Sequence, residues 1–292
     1  MKEITVISGK GGTGKTSITA ALASVARNAV FCDNDVDAAD LHLIFQPQNK
    51  EEYTFSSGWK ATINTGKCTV CNFCVDHCRF DAIHNNREGT LEINPFQCEG
   101  CRLCERICPS GAITSERNNN NYWYVSSSRF GTLVHASMGP GEENSGKLVT
   151  QVRKKAKEIA TYNQLEFIIN DGPPGVGCAA ISSLSGTDLA LIIIEPTKSG
   201  LHDVQRLVEL IESFKITTCA VINKYDINPE ITLRVEQFLD SKKIPLIAKI
   251  PFDKQIVESM VEGKTIVEYN PVSGISNSIK EIWKVIKEQV PA

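Results

Sequence analysis

Residues 9–16 read Gly9-Lys10-Gly11-Gly12-Thr13-Gly14-Lys15-Thr16, and no other stretch restricts the fold so tightly. The pattern G-x-x-x-x-G-K-[ST] cradles phosphate when a strand delivers the loop and a helix leaves it. Both flanks meet that demand. Ile4 to Ile7 is an apolar run rich in β-branched residues, and Ser17 to Ala26 sets Ile18, Leu22 and Val25 at helical spacing among alanines. Glycines let backbone N–H groups turn toward phosphate oxygens, and the helix start adds its positive end. Lys15 is placed to neutralise β- and γ-phosphate charge and Thr16 to hold Mg2+ through its hydroxyl. Gly11, Gly12, Thr13, Gly14 and Ser17 complete the expected phosphate contacts. A nucleoside triphosphate is the expected ligand.

The rest of the chain supplies a sheet for that loop. Ala29 to Cys32 is a second apolar run and ends in Asp33-Asn34-Asp35-Val36-Asp37. Carboxylates at the carboxyl end of a strand face the crevice where parallel sheets bind ligands. One such acid suits orienting a water against the γ-phosphate, another holding Mg2+. Leu165 to Ile169 ends in Asn170-Asp171-Gly172-Pro173-Pro174-Gly175. An aspartate there is a further Mg2+ residue by pattern, and the Gly and Pro behind it suit a loop that senses the γ-phosphate. Leu189 to Ile194, Ala220 to Ile222 and Ile247 to Ile250 read as later strands, with helical stretches at 200–214 and 229–241. Such alternation predicts an α/β fold with a doubly wound, mostly parallel sheet.

Eight of the 11 cysteines fall between Cys68 and Cys108. Met1-Lys2-Glu3 runs straight into the first strand and resembles no signal peptide, so metal or redox chemistry in a reducing cytoplasm is expected rather than disulfides. Cys68, Cys71, Cys74 and Cys78 form a C-x2-C-x2-C-x3-C run, and Cys98, Cys101, Cys104 and Cys108 repeat it. Matching tails follow, Phe80-Asp81-Ala82-Ile83 and Ser110-Gly111-Ala112-Ile113, which marks an internal duplication. A zinc ribbon would instead show C-x2-C pairs at wider separation. The spacing resembles that of bacterial-type ferredoxins with two [4Fe–4S] clusters, in which the fourth cysteine of each run crosses to the other cluster. That resemblance assigns Cys68, Cys71, Cys74 and Cys108 to one cluster and Cys78, Cys98, Cys101 and Cys104 to the other. Arg79 stands where Pro109 stands in the second run, so an altered environment without loss of a ligand is expected.

A net charge of −3 gives no basis for nucleic acid or an anionic membrane as the main partner. No apolar run approaches the roughly 18 residues of a membrane span, so stable insertion is not expected. Residues 46–66 are polar and read as irregular. Tyr122 to Val125 and Arg129 to His135 suit a hairpin, followed by a loop from Gly139 to Gly146. Two amphipathic helices are predicted, Lys147 to Ile159 and one through Ile275, Ile279, Ile282, Trp283, Ile286 and Val290, each packing its apolar face on the sheet. Cys32, Cys219 and Cys178 are expected to be structural.

Lys10, a second lysine in the phosphate loop, marks the deviant class found in MinD, ParA and the nitrogenase iron protein. The Asp33-to-Asp35, Asp171-to-Gly175, Glu195-Pro196-Thr197, Val221-to-Lys224 and Ile250-to-Asp253 segments follow in that family's order. The chain thus resembles a MinD/ParA-superfamily ATPase with an inserted ferredoxin-like α+β domain, the ATPase in residues 1–60 and 117–292 and the insert in 61–116. The resemblance implies that Lys10 reaches the phosphates of a partner subunit's nucleotide, in a homodimer or a heterodimer of paralogues formed on nucleotide binding. It also implies that Asp35 prepares the attacking water, Asp33 lies beside Mg2+, Asp171 holds Mg2+ through water, and Asn223 reads adenine. Asn223-Lys224-Tyr225-Asp226 also reads N-K-x-D, a guanine-reading motif; the deviant loop favours ATP over GTP.

Together these readings predict a cytoplasmic, ATP-hydrolysing iron–sulfur protein. It would couple nucleotide-driven dimer switching to electron transfer through two [4Fe–4S] clusters, toward a redox protein partner. An ATP-dependent cluster carrier in metallocofactor assembly and a MinD- or ParA-like spatial organiser with redox-sensing clusters stand as alternatives.

Overall fold

The computed structural model describes residues 1–56, 58–119, 121–138 and 145–290. The chain divides into two compact units: Met1–Glu52, Trp123–Ala136 and Gly146–Ala292 form one, Tyr53–Tyr122 and Ser137–Ser145 the other.

The first unit is built on a nine-stranded sheet. Its strands lie in the order Leu246–Ile250, Thr217–Asn223, Leu189–Ile194, Lys2–Ser8, Phe167–Pro174, Ala29–Asp33, Gly131–Ser137, Asn121–Ser128 and Gln48–Phe55. The first seven pair in parallel. Parallel strands covered on both faces read as unbroken apolar runs, and Leu189–Ile194 is buried at every position. Its alternate residues serve opposite faces. Leu189, Leu191 and Ile193 join Ile18, Leu22, Ile279, Ile282 and Ile286 from the helices Lys15–Val25 and Gly274–Gln289. Ala190, Ile192 and Ile194 join Val204, Leu207, Val235 and Leu239 from the helices Lys198–Phe214 and Pro229–Ser241. The last helix therefore packs on the sheet as its periodicity predicts, with Trp283 edge-on to Phe167 at 5.0 Å.

Two departures from the sequence reading are instructive. Residues 46–66, read as irregular, include the strands Gln48–Phe55 and Gly58–Ile63. Gln48–Phe55 is the last strand of its sheet, where the backbone ladder holds a strand whose side chains are polar. Helix Ser145–Tyr162 buries Leu148, Val149, Val152 and Ala156 as expected, and it also buries Arg153. Arg153 donates to Glu3 at 2.6 Å, Lys157 lies 2.8 Å from the same carboxylate, and Asn170 donates to it at 2.9 Å. A carboxylate on a buried strand is thus offset by two cations and an amide. The hairpin of Asn121–Ser128 and Gly131–Ser137 forms as predicted. Most of the predicted Gly139–Gly146 loop lies outside the described residues. Among the described residues no helix is long and apolar enough to cross a membrane.

The second unit repeats itself. Gly58–Ile63 pairs antiparallel with Ile113–Asn118, and Ile83–Asn85 pairs antiparallel with Leu91–Ile93. Short helices, Phe73–Asp76 and Leu103–Ile107, carry the middle of each cysteine run. Positive φ recurs at matched positions, Val70 with Gly100, Asn72 with Arg102 and Asp81 with Gly111. Each pair is offset by 30 positions, as Cys98 is from Cys68. The duplication is therefore one of backbone shape as well as of sequence.

Candidate functional site

Strand Lys2–Ser8 delivers the phosphate loop and helix Lys15–Val25 leaves it. Gly14, the residue before that helix, has φ of 89° and no side chain caps the first turn, whose N–H groups remain available. Three loop carbonyls are held outward: Ser8 donates to Lys10 O at 2.8 Å, Lys224 to Gly12 O at 3.1 Å, and Asn223 to Thr13 O at 2.8 Å. In a planar peptide, a carbonyl pinned outward sends its N–H inward, the arrangement an anion needs. A Cβ on Gly14 would collide with the Asn223 amide.

Lys15 is buried among carboxylates, 3.3 Å from Asp35 and 3.4 Å from Asp171. Burial lowers its affinity for a proton, but Asp171, Asp35 and Asp33 outweigh that and hold the ammonium above its ordinary pKa. Asp33 accepts from the N–H groups of Asp35 and Leu41. Full burial, then the charge of Asp171, drives its carboxyl well above the usual range. Asp35 is raised by burial as well. Thr19, one turn into the helix, donates to Asp171 Oδ1 at 3.0 Å, while Asp171 Oδ2 is buried without a hydrogen bond. Three carboxyl groups face one ammonium, burial and their mutual repulsion raise the proton affinity of Asp33 and Asp35, and one Asp171 oxygen is unpartnered. A divalent cation fits that deficit.

Lys10 leans away from the helix start. Its ammonium lies 2.9 Å from Glu195 and donates to Thr197 at 2.9 Å. Lys224 reaches the other oxygen of Glu195 at 3.1 Å. Burial would raise the Glu195 pKa, but the two lysines outweigh it and hold it below the ordinary value. The structure therefore brings together Lys15, Asp33, Asp35 and Asp171 as one group, and Lys10, Glu195, Thr197 and Lys224 as another. Gly11 and Gly12 are exposed, and Thr16 and Ser17 partly so, with Ser17 donating to Met260 Sδ at 3.0 Å. Asn223 sits behind the loop, its Oδ1 unpartnered, while Asp226 accepts from Phe252 N. Sequence reasoning gave no role to Thr19, although its place four residues after Lys15 puts both on one helix face. Cys178, expected to be structural, is exposed because it opens the helix Cys178–Leu184; Cys32 and Cys219 are buried strand residues as expected.

The family model for the CobQ/CobB/MinD/ParA nucleotide-binding domain matches residues 4–266. The chain belongs to this family. An uncharacterized protein of Methanocaldococcus jannaschii is 36% identical over 289 residues, covering 98% of this chain and 96% of that one. The iron–sulfur cluster carrier protein of Aquifex aeolicus is 26% identical over 141 residues, 44% of this chain and 39% of the carrier. Among solved structures, the septum site-determining protein MinD of Pyrococcus horikoshii complexed with Mg-ADP superposes with a TM-score of 0.58 at 20% identity. It covers 98% of this chain and 96% of that one, which shows a shared fold. The family is one of ATPases, and its nucleotide-binding domain spans the strand, loop and helix described above.

The second unit gathers eight thiols. Burial raises Cys74, and the neighbouring Cys68 and Cys108 raise it further. Cys104 is pushed up to about 11 by burial, with Cys98, Cys101 and Cys74 adding to it. Cys78 shares a cavity with Cys74, Cys98, Cys101 and Cys104. Thiols that hinder one another's ionisation are stabilised as thiolates by a cationic centre among them. Val70 N–H donates to Cys68 Sγ at 3.4 Å and Ala112 N–H to Cys108 Sγ at 3.3 Å. Among the described residues no group of three or more His, Cys, Asp or Glu is set for a single metal ion. By mutual influence the thiols fall into two sets, Cys68, Cys74 and Cys108, and Cys98, Cys101 and Cys104, with Cys74 common to both, Cys78 in the cavity of the second and Cys71 exposed.

Proposed function

We propose that this chain is an ATP-hydrolysing iron–sulfur protein in which nucleotide-driven switching of a dimer is coupled to electron transfer through two [4Fe–4S] clusters. The unit of Tyr53–Tyr122 and Ser137–Ser145 would be its ferredoxin-type domain, and the unit of Met1–Glu52, Trp123–Ala136 and Gly146–Ala292 its ATPase. The observation that carries the reading is the convergence of two duplicated cysteine runs on one compact unit, in a chain whose other unit holds a complete phosphate loop.

Nucleotide binding begins with Lys15, whose ammonium would exchange Asp35 and Asp171 for phosphate oxygens. Asp35, released from that ion pair, is free to orient and polarise the attacking water. Mg2+, held by Thr16 and by Asp171 and Asp33 through the water around it, would neutralise the charge the carboxylates share. Lys10 must leave Glu195 to reach a neighbouring subunit's phosphates, so dimerisation and hydrolysis depend on one side-chain movement. The clusters, when bound, supply one-electron chemistry at low potential. The likeness to a cluster carrier supports a second reading, ATP-dependent cluster delivery.

The two separate in one experiment. Anaerobically reconstituted protein is reduced, and its cluster spectrum and potential are followed as ATP is added. Retained clusters with a shifted potential support electron transfer. ATP-triggered loss of iron to an apo-acceptor refutes it in favour of delivery.

A further inference from the structure

Resting on the two-cluster reading, we propose that the clusters are unequal and that Ser110 makes the one held by Cys68, Cys71, Cys74 and Cys108 the more easily reduced. The duplication provides an internal control, because each residue has a counterpart 30 positions away. Around the first cluster, the Ser110 hydroxyl lies 3.5 Å from Cys108 Sγ, and Ala112 N–H and Val70 N–H reach Cys108 and Cys68 at 3.3 and 3.4 Å. The counterpart of Ser110 is Phe80, half-exposed and lining the cavity of Cys78, Cys98, Cys101 and Cys104. A phenyl ring has no hydrogen to donate. Among the described residues no donor is hydrogen-bonded to Cys78 Sγ.

Reduction adds one negative charge to a cluster, and hydrogen bonds to its cysteine sulfurs stabilise that charge. Ser110 and its backbone neighbours therefore favour the reduced state of the first cluster. Of the charges near the second, the Lys60 ammonium is held by Pro95 O at 2.9 Å and Cys98 O at 3.5 Å, and Glu99 lines the same cavity as a counter-charge. Arg79 is exposed and screened by solvent, and Arg102 is held over Trp59 while paired to Glu105 at 2.8 Å. His77 Nδ1 is engaged with Phe73 O at 2.9 Å. With clusters bound and dithionite as the reductant, the cysteines Cys68, Cys71, Cys74 and Cys108 would hold the one that takes up an electron first.

The test is an anaerobic redox titration of the reconstituted full-length chain, followed by electron paramagnetic resonance, after iron and sulfide have been counted. Two reduction waves are expected. Ser110→Ala should lower the upper wave alone, Ser110→Thr should leave it in place, and Phe80→Ser should raise the lower one. A single wave in the natural chain, or a Ser110→Ala variant with both waves unmoved or only the lower moved, overturns the proposal. If Ser110→Ala loses iron, Phe80→Ser decides, and an unmoved lower wave is then the refuting result. Iron near four per chain refutes the two-cluster reading itself, a failure visible in the count rather than in the waves.

Discussion

Gly14→Ala tests how the phosphate loop is held. Gly14 has φ of 89°, a region that costs an L-residue about 1–2 kcal/mol. The added Cβ would also strike the Asn223 amide, which donates to Thr13 O at 2.8 Å. Displacing that amide forfeits a hydrogen bond worth about 1 kcal/mol. The sum is roughly 2–3 kcal/mol of destabilisation, a large share of a typical domain's 5–15 kcal/mol. Urea unfolding without nucleotide measures it. The two residues are also coupled. In an Asn223→Ala background the collision is gone and only the backbone strain remains, so Gly14→Ala should cost about 1 kcal/mol less there. Strict additivity of the two substitutions would show that the amide and the glycine do not meet. An unchanged midpoint for Gly14→Ala alone would refute the loop geometry as well.

Other outcomes follow from the same site. Lys15→Ala should abolish nucleotide binding in a fluorescent-nucleotide titration. It should also destabilise the ligand-free protein by about 3–5 kcal/mol, because buried Asp171 and Asp33 and partly buried Asp35 lose their cation. Lys10→Ala should leave nucleotide affinity within a few-fold of the natural chain while abolishing hydrolysis and ATP-dependent dimerisation in a sedimentation assay; a fully active variant would exclude the paired-subunit mechanism. His135, held neutral by burial and by His42, has a pKa lowered to about 4 from an ordinary 6.5. The unfolded chain takes up that proton first, so the stabilisation is complete above pH 6.5 and is lost as pH falls toward 4, to a limit of roughly 3 kcal/mol. Unfolding midpoints at pH 7.5 and 5 should differ less in His135→Gln, which keeps a polar group within reach of Ser126; an unchanged pH slope would contradict the assignment.

Periodicity made much of this legible. Lys2–Ser8, Leu189–Ile194 and Gly274–Gln289 carry their burial in their own spacing, and the loop between strand and helix carries its ligand class. Residues 48–55 were not legible, because an edge strand is stabilised by its neighbour's backbone rather than by its own apolar side chains. The Glu3–Arg153 pair and the Lys10–Glu195 pair join residues far apart in the chain, and no local pattern announces such contacts. Glu195-Pro196-Thr197 was visible as a segment in family order; its grip on two lysines required coordinates. Cys178, read as structural, stands exposed at the start of the helix Cys178–Leu184, a placement no local pattern announces.

Gly58 stands opposite Asn118 in the strand pair that bounds the cysteine unit. Paired strands lie about 4.8 Å apart, so the chain departs and returns at nearly the same point. Seen as polymer topology, residues 58–118 are a closed excursion whose ends a hairpin turn could join. Its removal or transplantation would ask a host backbone to span no more than such a turn, and the entropy of closing a loop grows only logarithmically with its length. The cysteine-bearing segment from 58 to 118 is thus joined to the rest of the chain at one narrow neck.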